Sequence, residues 1–277
     1  MNLRAIKAIA KKDLSAVTSN VQIFLPIIIV PLIFCVLMPG MIILVSRYGN
    51  ITNMGNLEPM LKLFEKIPDI NIKTKLLSFQ DINQQMIFIF VNYFLAPLFL
   101  LIPIMAASLV AANSFAGEKE RKTLESLLFA PVDLYSLFLG KALAAFVLAM
   151  LLAIGGFILF GLTVNILAYP MFNQLIFPEP SWWVLIFWVS PSLSLLAILF
   201  NVAISAKVKG FQEANQMSVF IILPLIALVV SQATGALFLD SKILWFIGLF
   251  GIIISALALW RMVKYFNRNK LFESQIF

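Results

Sequence analysis

Long stretches without any charged side chain limit what this chain can fold into more than any other feature. Residues 87–112 and 142–177 contain no Asp, Glu, Lys or Arg. A helix needs about 20 apolar residues to cross the hydrocarbon of a bilayer, so each stretch is long enough to span. Over its 277 residues the chain is 62% hydrophobic and only 12% charged, well away from the balance of a soluble domain. The apolar runs are continuous rather than alternating, which predicts an all-α integral membrane protein.

Six apolar segments predict six transmembrane helices within one membrane domain covering 1–277. We place them at about Val21–Val45, Met86–Ala112, Ala142–Leu167, Trp183–Ile204, Met217–Leu239 and Ile243–Met262. Trp182 and Trp183 are expected to anchor the start of the fourth span at the membrane interface. The polar stretch 48–85 is expected to be an extracellular loop, in which Leu57, Leu61, Phe64 and Ile67 indicate a short amphipathic helix.

Residues 1–20 predict an amphipathic helix that lies at the membrane interface and leads into the first span. Apolar residues recur at helical spacing, at Leu3, Ile6, Ala10, Leu14 and Val17. Arg4, Lys7 and Lys11 follow one another along another face. The apolar run that follows begins too late, and is too long, for a secretory signal peptide.

The distribution of Lys and Arg predicts that both termini are cytoplasmic, because cytoplasmic loops carry the excess of basic residues. With this orientation 14 of the 20 basic residues face the cytoplasm: Arg4, Lys7, Lys11, Lys12, Lys119, Arg121, Lys122, Lys141, Lys207, Lys209, Arg261, Lys264, Arg268 and Lys270. The net charge of +7 is therefore explained by a multi-pass topology in the cell membrane. It does not indicate nucleic-acid binding.

Several kinds of chemistry are missing from the sequence. Histidine is absent and Cys35 is the single cysteine, which excludes a disulfide within the chain and Cys/His zinc sites. No span carries an ionisable residue near its centre, which disfavours an ion-coupled carrier. The neutral polar residues inside the spans are predicted to form helix–helix hydrogen bonds, namely Asn92, Asn165, Asn201 and Gln232. No GxxxxGK[ST] motif is present, so the chain is not an enzyme by itself and binds no cofactor; another subunit must bind any ATP.

The charged segment 114–141, between spans two and three, is the strongest functional signal. Acids and bases from Glu118 to Glu125 are followed by the pair Leu127-Leu128 and by Pro131, which ends any helix there. Mixed charge beside exposed leucines is typical of a helix on which a soluble partner docks. The segment therefore predicts a short cytoplasmic helix, at about Gly117–Phe129.

This segment resembles the loop between the second and third spans of ABC-2 type permeases, the membrane subunits of many bacterial ABC exporters. The family pattern is a glutamate and an arginine, then Thr-Leu-Glu, a Leu-Leu pair, a proline and a later Gly-Lys. The matching residues are Glu118 or Glu120, Arg121, Thr123, Leu124, Glu125, Leu127, Leu128, Pro131, Gly140 and Lys141. The family usually has glycine before the threonine, where this chain has Lys122. A weaker match, Glu213-Ala214-Asn215-Gln216, precedes span five.

The resemblance implies a half-sized permease that works beside an identical or related chain, with cytoplasmic ATPase subunits that bind ATP and Mg. Residues 117–129 would be the coupling helix, in which Glu118, Arg121 and Glu125 contact the ATPase and the two leucines anchor it. A second candidate site is the cytoplasmic loop before span five, with Lys207, Lys209, Glu213 and Gln216. An uncharged path suits export of a hydrophobic or amphipathic cargo, such as a lipid, peptide or drug. Sodium or polysaccharide export, and a membrane interaction or immunity protein without transport, remain alternatives.

Overall fold

The computed structural model describes residues 2–49, 70–79, 81–123, 133–234, 236 and 239–265. Six of its helices are long and apolar enough to cross a membrane, as predicted. They are span one, Ile23–Tyr48; span two, Ile82–Glu120; span three, Tyr135–Phe172; span four, Pro180–Ser205; span five, Phe211–Ala233; and span six, Ser241–Arg261. Among the described residues, two further helices lie outside the spans, an N-terminal helix at Leu3–Ser19 and a short helix at Ile70–Leu77.

The predicted spans two, three and five were too short at the end of the bundle that carries the charged segment. Span two runs on to Glu120, so the first residues assigned to a separate coupling helix belong to its last turns. The helix of span three begins at Leu134, so Gly140 and Lys141 lie inside it. Span five begins at Phe211, six residues before the predicted start. Charged residues near a water-exposed end are compatible with a helix, which is why hydropathy alone ended span two too early and started spans three and five too late.

Four short π-helical turns interrupt the spans, at Ile33–Leu37, Phe90–Phe94, Asn113–Gly117 and Leu185–Val189. Three of them come just before a proline, namely Pro39, Pro97 and Pro191. Proline has no amide hydrogen, and its ring collides with the carbonyl four residues earlier in a regular helix. A wider turn at that point accommodates the ring, and the freed carbonyl then needs another donor.

Span two is the centre of the bundle, and its freed carbonyls are bonded by neighbouring spans. In its most apolar stretch 78% of the residues are buried, against 17% in span five. Pro97 leaves the carbonyl of Tyr93 without its helical donor, and the side-chain amide of Gln232 donates to it at 3.2 Å. The indole of Trp182 donates to the carbonyl of Asn92 at 3.1 Å. Trp182 is fully buried, so its prediction as an interface anchor is wrong, whereas Trp183 is half exposed.

The turn between spans three and four, residues 173–179, folds back into the bundle, and we call it the re-entrant turn. Span three ends at Phe172, where Asn173 adopts a left-handed backbone with φ 52°. The ring of Phe177 nevertheless packs on Phe160, with centroids 5.0 Å apart, although Phe160 lies about 18 Å back along the helix. Asn165 holds the turn: its amide donates to the carbonyl of Phe177 at 2.8 Å, and its oxygen accepts from two backbone amides of the turn.

The N-terminal helix packs its apolar face on span three. Ile6, Ile9, Ala10 and Val17 are buried, whereas Arg4, Lys7 and Lys11 are exposed. At Gly140 the two helices meet so closely that a Cβ would lie 2.9 Å from the Cβ of Ile9. The predicted polar face is therefore correct, and the apolar face is covered by protein except at Leu3, which is 72% exposed. In the loop 48–85, the amphipathic helix expected around Leu57 to Ile67 lies outside the described residues.

Candidate functional site

The last turn of span two carries three consecutive charged residues, Glu118, Lys119 and Glu120, and each of them bonds a residue distant in sequence. Glu118 reaches the N-terminal helix and span three, while Lys119 and Glu120 reach the loop before span five. We call this cluster the charged junction: Lys12, Asp13, Glu118, Lys119, Glu120 and Lys141. It lies where span two leads into the segment that the sequence singles out.

Lys141 is the centre of the charged junction and is completely buried. Its ammonium donates to Glu118 Oε2 at 2.5 Å and to the carbonyl of Ser114 at 2.7 Å. It lies 3.5 Å from Asp13 Oδ2 and 5.5 Å from the centroid of the Phe115 ring. The surroundings of this lysine thus combine two carboxylates, one carbonyl and one aromatic face.

The two carboxylates are themselves shielded from water, with Asp13 3% and Glu118 9% exposed. Lys12, which is half exposed, bonds Glu118 Oε1 and lies 3.2 Å from Asp13 Oδ1. Burial works to lower the pKa of Lys12. The hydrogen bond to Glu118 and the negative charges of Asp13 and Glu118 outweigh that effect, so its pKa is raised above the ordinary value. Two positive and two negative groups balance, which is the condition for burying charges at all.

Glu120 and Lys119 fix the loop before span five. Glu120 Oε2 accepts a hydrogen bond from the backbone amide of Phe211, the first residue of span five, at 2.9 Å. A carboxylate there satisfies one of the free amides at a helix start and complements the helix dipole. Gly210 permits the approach, because a Cβ would lie 2.6 Å from Glu120 Oε2. Lys119 donates to the carbonyl of Val208 at 3.1 Å.

These bonds hold the end of span two against the loop before span five, so the described residues of the two predicted site regions lie side by side. Arg121, Lys122 and Thr123 are exposed immediately beyond the charged junction. Lys207, Lys209, Glu213 and Gln216 are exposed on the adjoining loop and the first turns of span five, where Glu213 also accepts from the amide of Lys209 at 2.8 Å. The chain turns at Arg121 and Lys122, and Lys122 adopts a left-handed backbone with φ 59°. That is the position at which the resembling family usually has glycine, the residue best suited to such a conformation.

The structure changes the role given to Glu118. Its carboxylate is bonded by Lys12 and Lys141 inside the chain and is not presented to a partner. Glu120 is exposed but likewise holds a backbone amide of its own chain. The remaining predicted coupling residues, Leu124, Glu125, Leu127, Leu128 and Pro131, lie outside the described residues.

Sequence reasoning missed Lys12 and Asp13. The signal was available, because Ile6, Ala10, Asp13 and Val17 follow one another at helical spacing, which places an acid in an apolar stripe. A carboxylate on a buried face requires a cation from elsewhere in the fold, but the sequence does not say which cation. Among the described residues, no group of His, Cys, Asp and Glu is arranged to hold a metal ion.

Comparison with known families identifies the class of protein. The sequence model of a family described as ABC-2 family transporter protein matches residues 44–250. The chain belongs to this family and is a membrane permease of an ABC transporter. Such a permease is a transmembrane, non-catalytic subunit that works with ABC ATPase subunits. Comparison with curated protein sequences gives no significant match.

Proposed function

We propose that this chain is the permease subunit of an ATP-driven exporter whose ATPase docks beside the charged junction. The observation that carries the proposal is that the last turn of span two is bonded to the N-terminal helix, span three and span five at once. A force applied next to residue 120 would therefore act on four elements together. A transporter driven by a separate ATPase needs such a connection between the docking surface and its spans.

The proposed docking surface combines two adjacent exposed regions. One is Arg121–Thr123 together with the predicted continuation through Leu124, Glu125, Leu127, Leu128 and Pro131. The other is the loop before span five, with Lys207, Lys209, Glu213 and Gln216. Lys119 and Glu120 connect the two, so a single groove of an ATPase could receive both. This end would be cytoplasmic, in agreement with the basic residues there, and both termini would share that side. ATP and Mg would be bound by the ATPase and not by this chain.

The proposed cargo is hydrophobic or amphipathic. Charged side chains in the described spans lie toward their ends, and span four has none. A cavity of about 650 Å³ between spans four, five and six is lined by Leu193, Leu196, Pro224, Leu228, Phe250 and other apolar residues. Such a surface offers no partner for a hydrated ion or a sugar. A second copy of this chain, or a related permease, would complete the path.

The first experiment isolates the chain from membranes in mild detergent and measures the ATP hydrolysis that accompanies it. Arg121→Glu reverses an exposed charge of the proposed docking surface, and Glu125→Arg does so in the predicted helix. Lys242→Glu, an exposed reversal at the start of span six, is the matched control. We expect hydrolysis to accompany wild type and the control and to fall strongly in the other two. Recovery of the wild-type chain without any ATPase would refute the proposal.

Cargo and direction are tested in inside-out membrane vesicles. ATP should drive accumulation of a fluorescent hydrophobic dye, and Leu228→Trp, which fills the apolar cavity, should reduce it. A matched Leu257→Trp substitution on the exposed side of span six should not. Accumulation of radioactive sodium without dye would show that the cargo is assigned wrongly.

A further inference from the structure

We infer that Lys141 is a positioning residue of the transport cycle: it fixes the N-terminal helix to spans two and three, so that the three move as one body. The inference rests on the proposed function, since it concerns how force from the ATPase reaches the spans. It assigns to residues 3–19 a part in transport as well as in membrane attachment.

The first argument is the burial of charge. A fully buried ammonium is retained only when it is paired and hydrogen-bonded, because water no longer stabilises it. Lys141 has these partners only while Glu118, Ser114 and Asp13 stay in their present places. Any sliding of span two or of the N-terminal helix against span three would leave a buried charge without its partner. The network therefore resists relative motion along directions that apolar packing alone would tolerate.

The second argument is that the same stretch of span three is held at two other points. The backbone amide of Asn2 donates to the buried hydroxyl of Ser136 at 3.0 Å. Gly140 contacts the N-terminal helix so closely that an added Cβ would lie 3.1 Å from the carbonyl of Ile6. The N-terminal helix and span three are thus held at three points. Ser136 bonds the start of the N-terminal helix, Gly140 sets the distance between the two helices, and Lys141 fixes their register. A helix that only anchored the chain to the membrane would need none of these contacts with span three.

The third argument is the contrast with the ion pair at the other end of the bundle. Lys75 and Glu179 also pair, but the Lys75 side chain is 44% exposed and the two join a short connecting helix to the start of span four. In the Lys141 network the central ammonium is fully buried, four charged groups take part and three helices are joined. Of the ion pairs in the described part of the chain, it alone lies beside the proposed docking surface.

The test replaces the charges without emptying the site. Lys141→Met alone removes the buried one of the two cations that pair with Asp13 and Glu118, and is expected to impair folding. Glu118→Leu combined with Lys141→Met restores an apolar match of similar size, and such replacements are commonly tolerated. Lys11→Met, an exposed lysine of the N-terminal helix, is the matched control. The readout is the amount of fluorescent hydrophobic dye accumulated in inside-out vesicles per ATP hydrolysed, measured with the ATPase bound. We expect the double variant to fold and to bind ATPase, with a ratio lowered about tenfold, within the usual range of coupling between sites.

A second measurement reports position directly. Cys35 is fully buried, so cysteines introduced at exposed Lys11 and Leu139 can be spin-labelled selectively in the complex. In wild type, the distance between these labels should be the same without nucleotide and with ATP trapped. In the double variant its distribution should broaden or change with nucleotide. A double variant with wild-type transport per ATP and an unchanged distance would overturn the inference and leave the proposed function intact. Failure of wild type to recruit an ATPase would instead overturn the proposed function.

Discussion

The two ends of the bundle bury polar groups in opposite ways. At the charged junction, ammonium and carboxylate groups pair with one another around Lys141. At the other end, the neutral amides of Asn165 and Asn92 bond the re-entrant turn, and the indole of Trp182 bonds the carbonyl of Asn92. The ion pair at this end, Lys75–Glu179, has a cation that is 44% exposed. Neutral groups can be buried at hydrocarbon depth with little penalty once they are hydrogen-bonded, whereas ions need partners at every position they adopt. The comparison indicates that the ion pairs of the charged end hold the helices in register, and that the re-entrant turn fills the neutral end of the bundle.

The largest expected effect comes from removing the central cation of the charged end. Lys141→Met should lower the free energy of unfolding by about 3–5 kcal/mol, because the half-exposed Lys12 alone would be left to balance the two buried carboxylates of Glu118 and Asp13. The measurement is denaturation in mixed micelles, followed by reaction of the single cysteine, Cys35, with a fluorogenic maleimide. Lys11→Met should stay within about 0.5 kcal/mol of wild type. Equal stabilities of both variants would show that the network contributes nothing to folding.

A smaller loss in the free energy of unfolding is expected for a substitution at the neutral end, where the re-entrant turn lies. Asn165→Leu leaves the amides of Ile176 and Phe177 and the carbonyl of Phe177 without their side-chain partner. We expect a loss of about 1–3 kcal/mol in the free energy of unfolding. Release of the re-entrant turn should also expose the buried Trp182, which packs on Phe177, to quenchers. Thr163→Val, which removes only a bond to its own helix, is the control. Unchanged tryptophan quenching in Asn165→Leu would mean that aromatic packing alone holds the turn.

Gln232→Met should lower the free energy of unfolding by less than Asn165→Leu does. The substitution removes the bond to the carbonyl of Tyr93, but it also removes Gln232 Oε1, a buried acceptor without a hydrogen-bond partner. Interhelical hydrogen bonds in membranes contribute about 0.6 kcal/mol on average, so we expect a change of that size in the same denaturation assay. A loss as large as that of Lys141→Met would remove the distinction between the two ends.

The smallest expected effect is an increase in the free energy of unfolding, for the substitution Lys122→Gly. Lys122→Gly relieves a left-handed backbone, and the greater freedom of glycine in the unfolded chain offsets part of the benefit. The net stabilisation should be about 0.5 kcal/mol. Lys122→Ala keeps the Cβ and should give no gain, so the same denaturation measured for this pair separates backbone strain from loss of charge. Destabilisation by glycine alone would show that the turn is not strained.

Sequence reasoning worked where the physics is local and failed where distant residues meet. The uncharged runs located six spans, because the length of a crossing helix is set by the bilayer. The interior Asn and Gln residues were correctly predicted as structural: Asn201 accepts from Ser218 of span five, and Gln232 bonds span two. Asn92 and Asn165, however, bond the re-entrant turn rather than a neighbouring helix.

The charged junction could not be derived in the same way. Glu118 pairs with Lys12 and with Lys141, which lie 106 and 23 positions away, and no local pattern distinguishes these pairs from solvated charges. Trp182 and Trp183 are neighbours in sequence, yet one is fully buried and the other is half exposed. Which of two adjacent residues faces the core depends on the rotation of the whole helix, and packing sets that rotation.

The length of span two has a geometrical consequence. Its 39 residues correspond to about 58 Å of helix, almost twice the roughly 30 Å of bilayer hydrocarbon. The re-entrant turn holds this helix near Asn92, toward the end opposite the charged junction. Glu118 lies 26 residues, or about 39 Å, beyond Asn92, so a tilt of about 8° around Asn92 would carry it sideways by about 5 Å, close to the rise of one helical turn. Angular changes too small to disturb the neutral end would thus displace the charged end by a whole side-chain position.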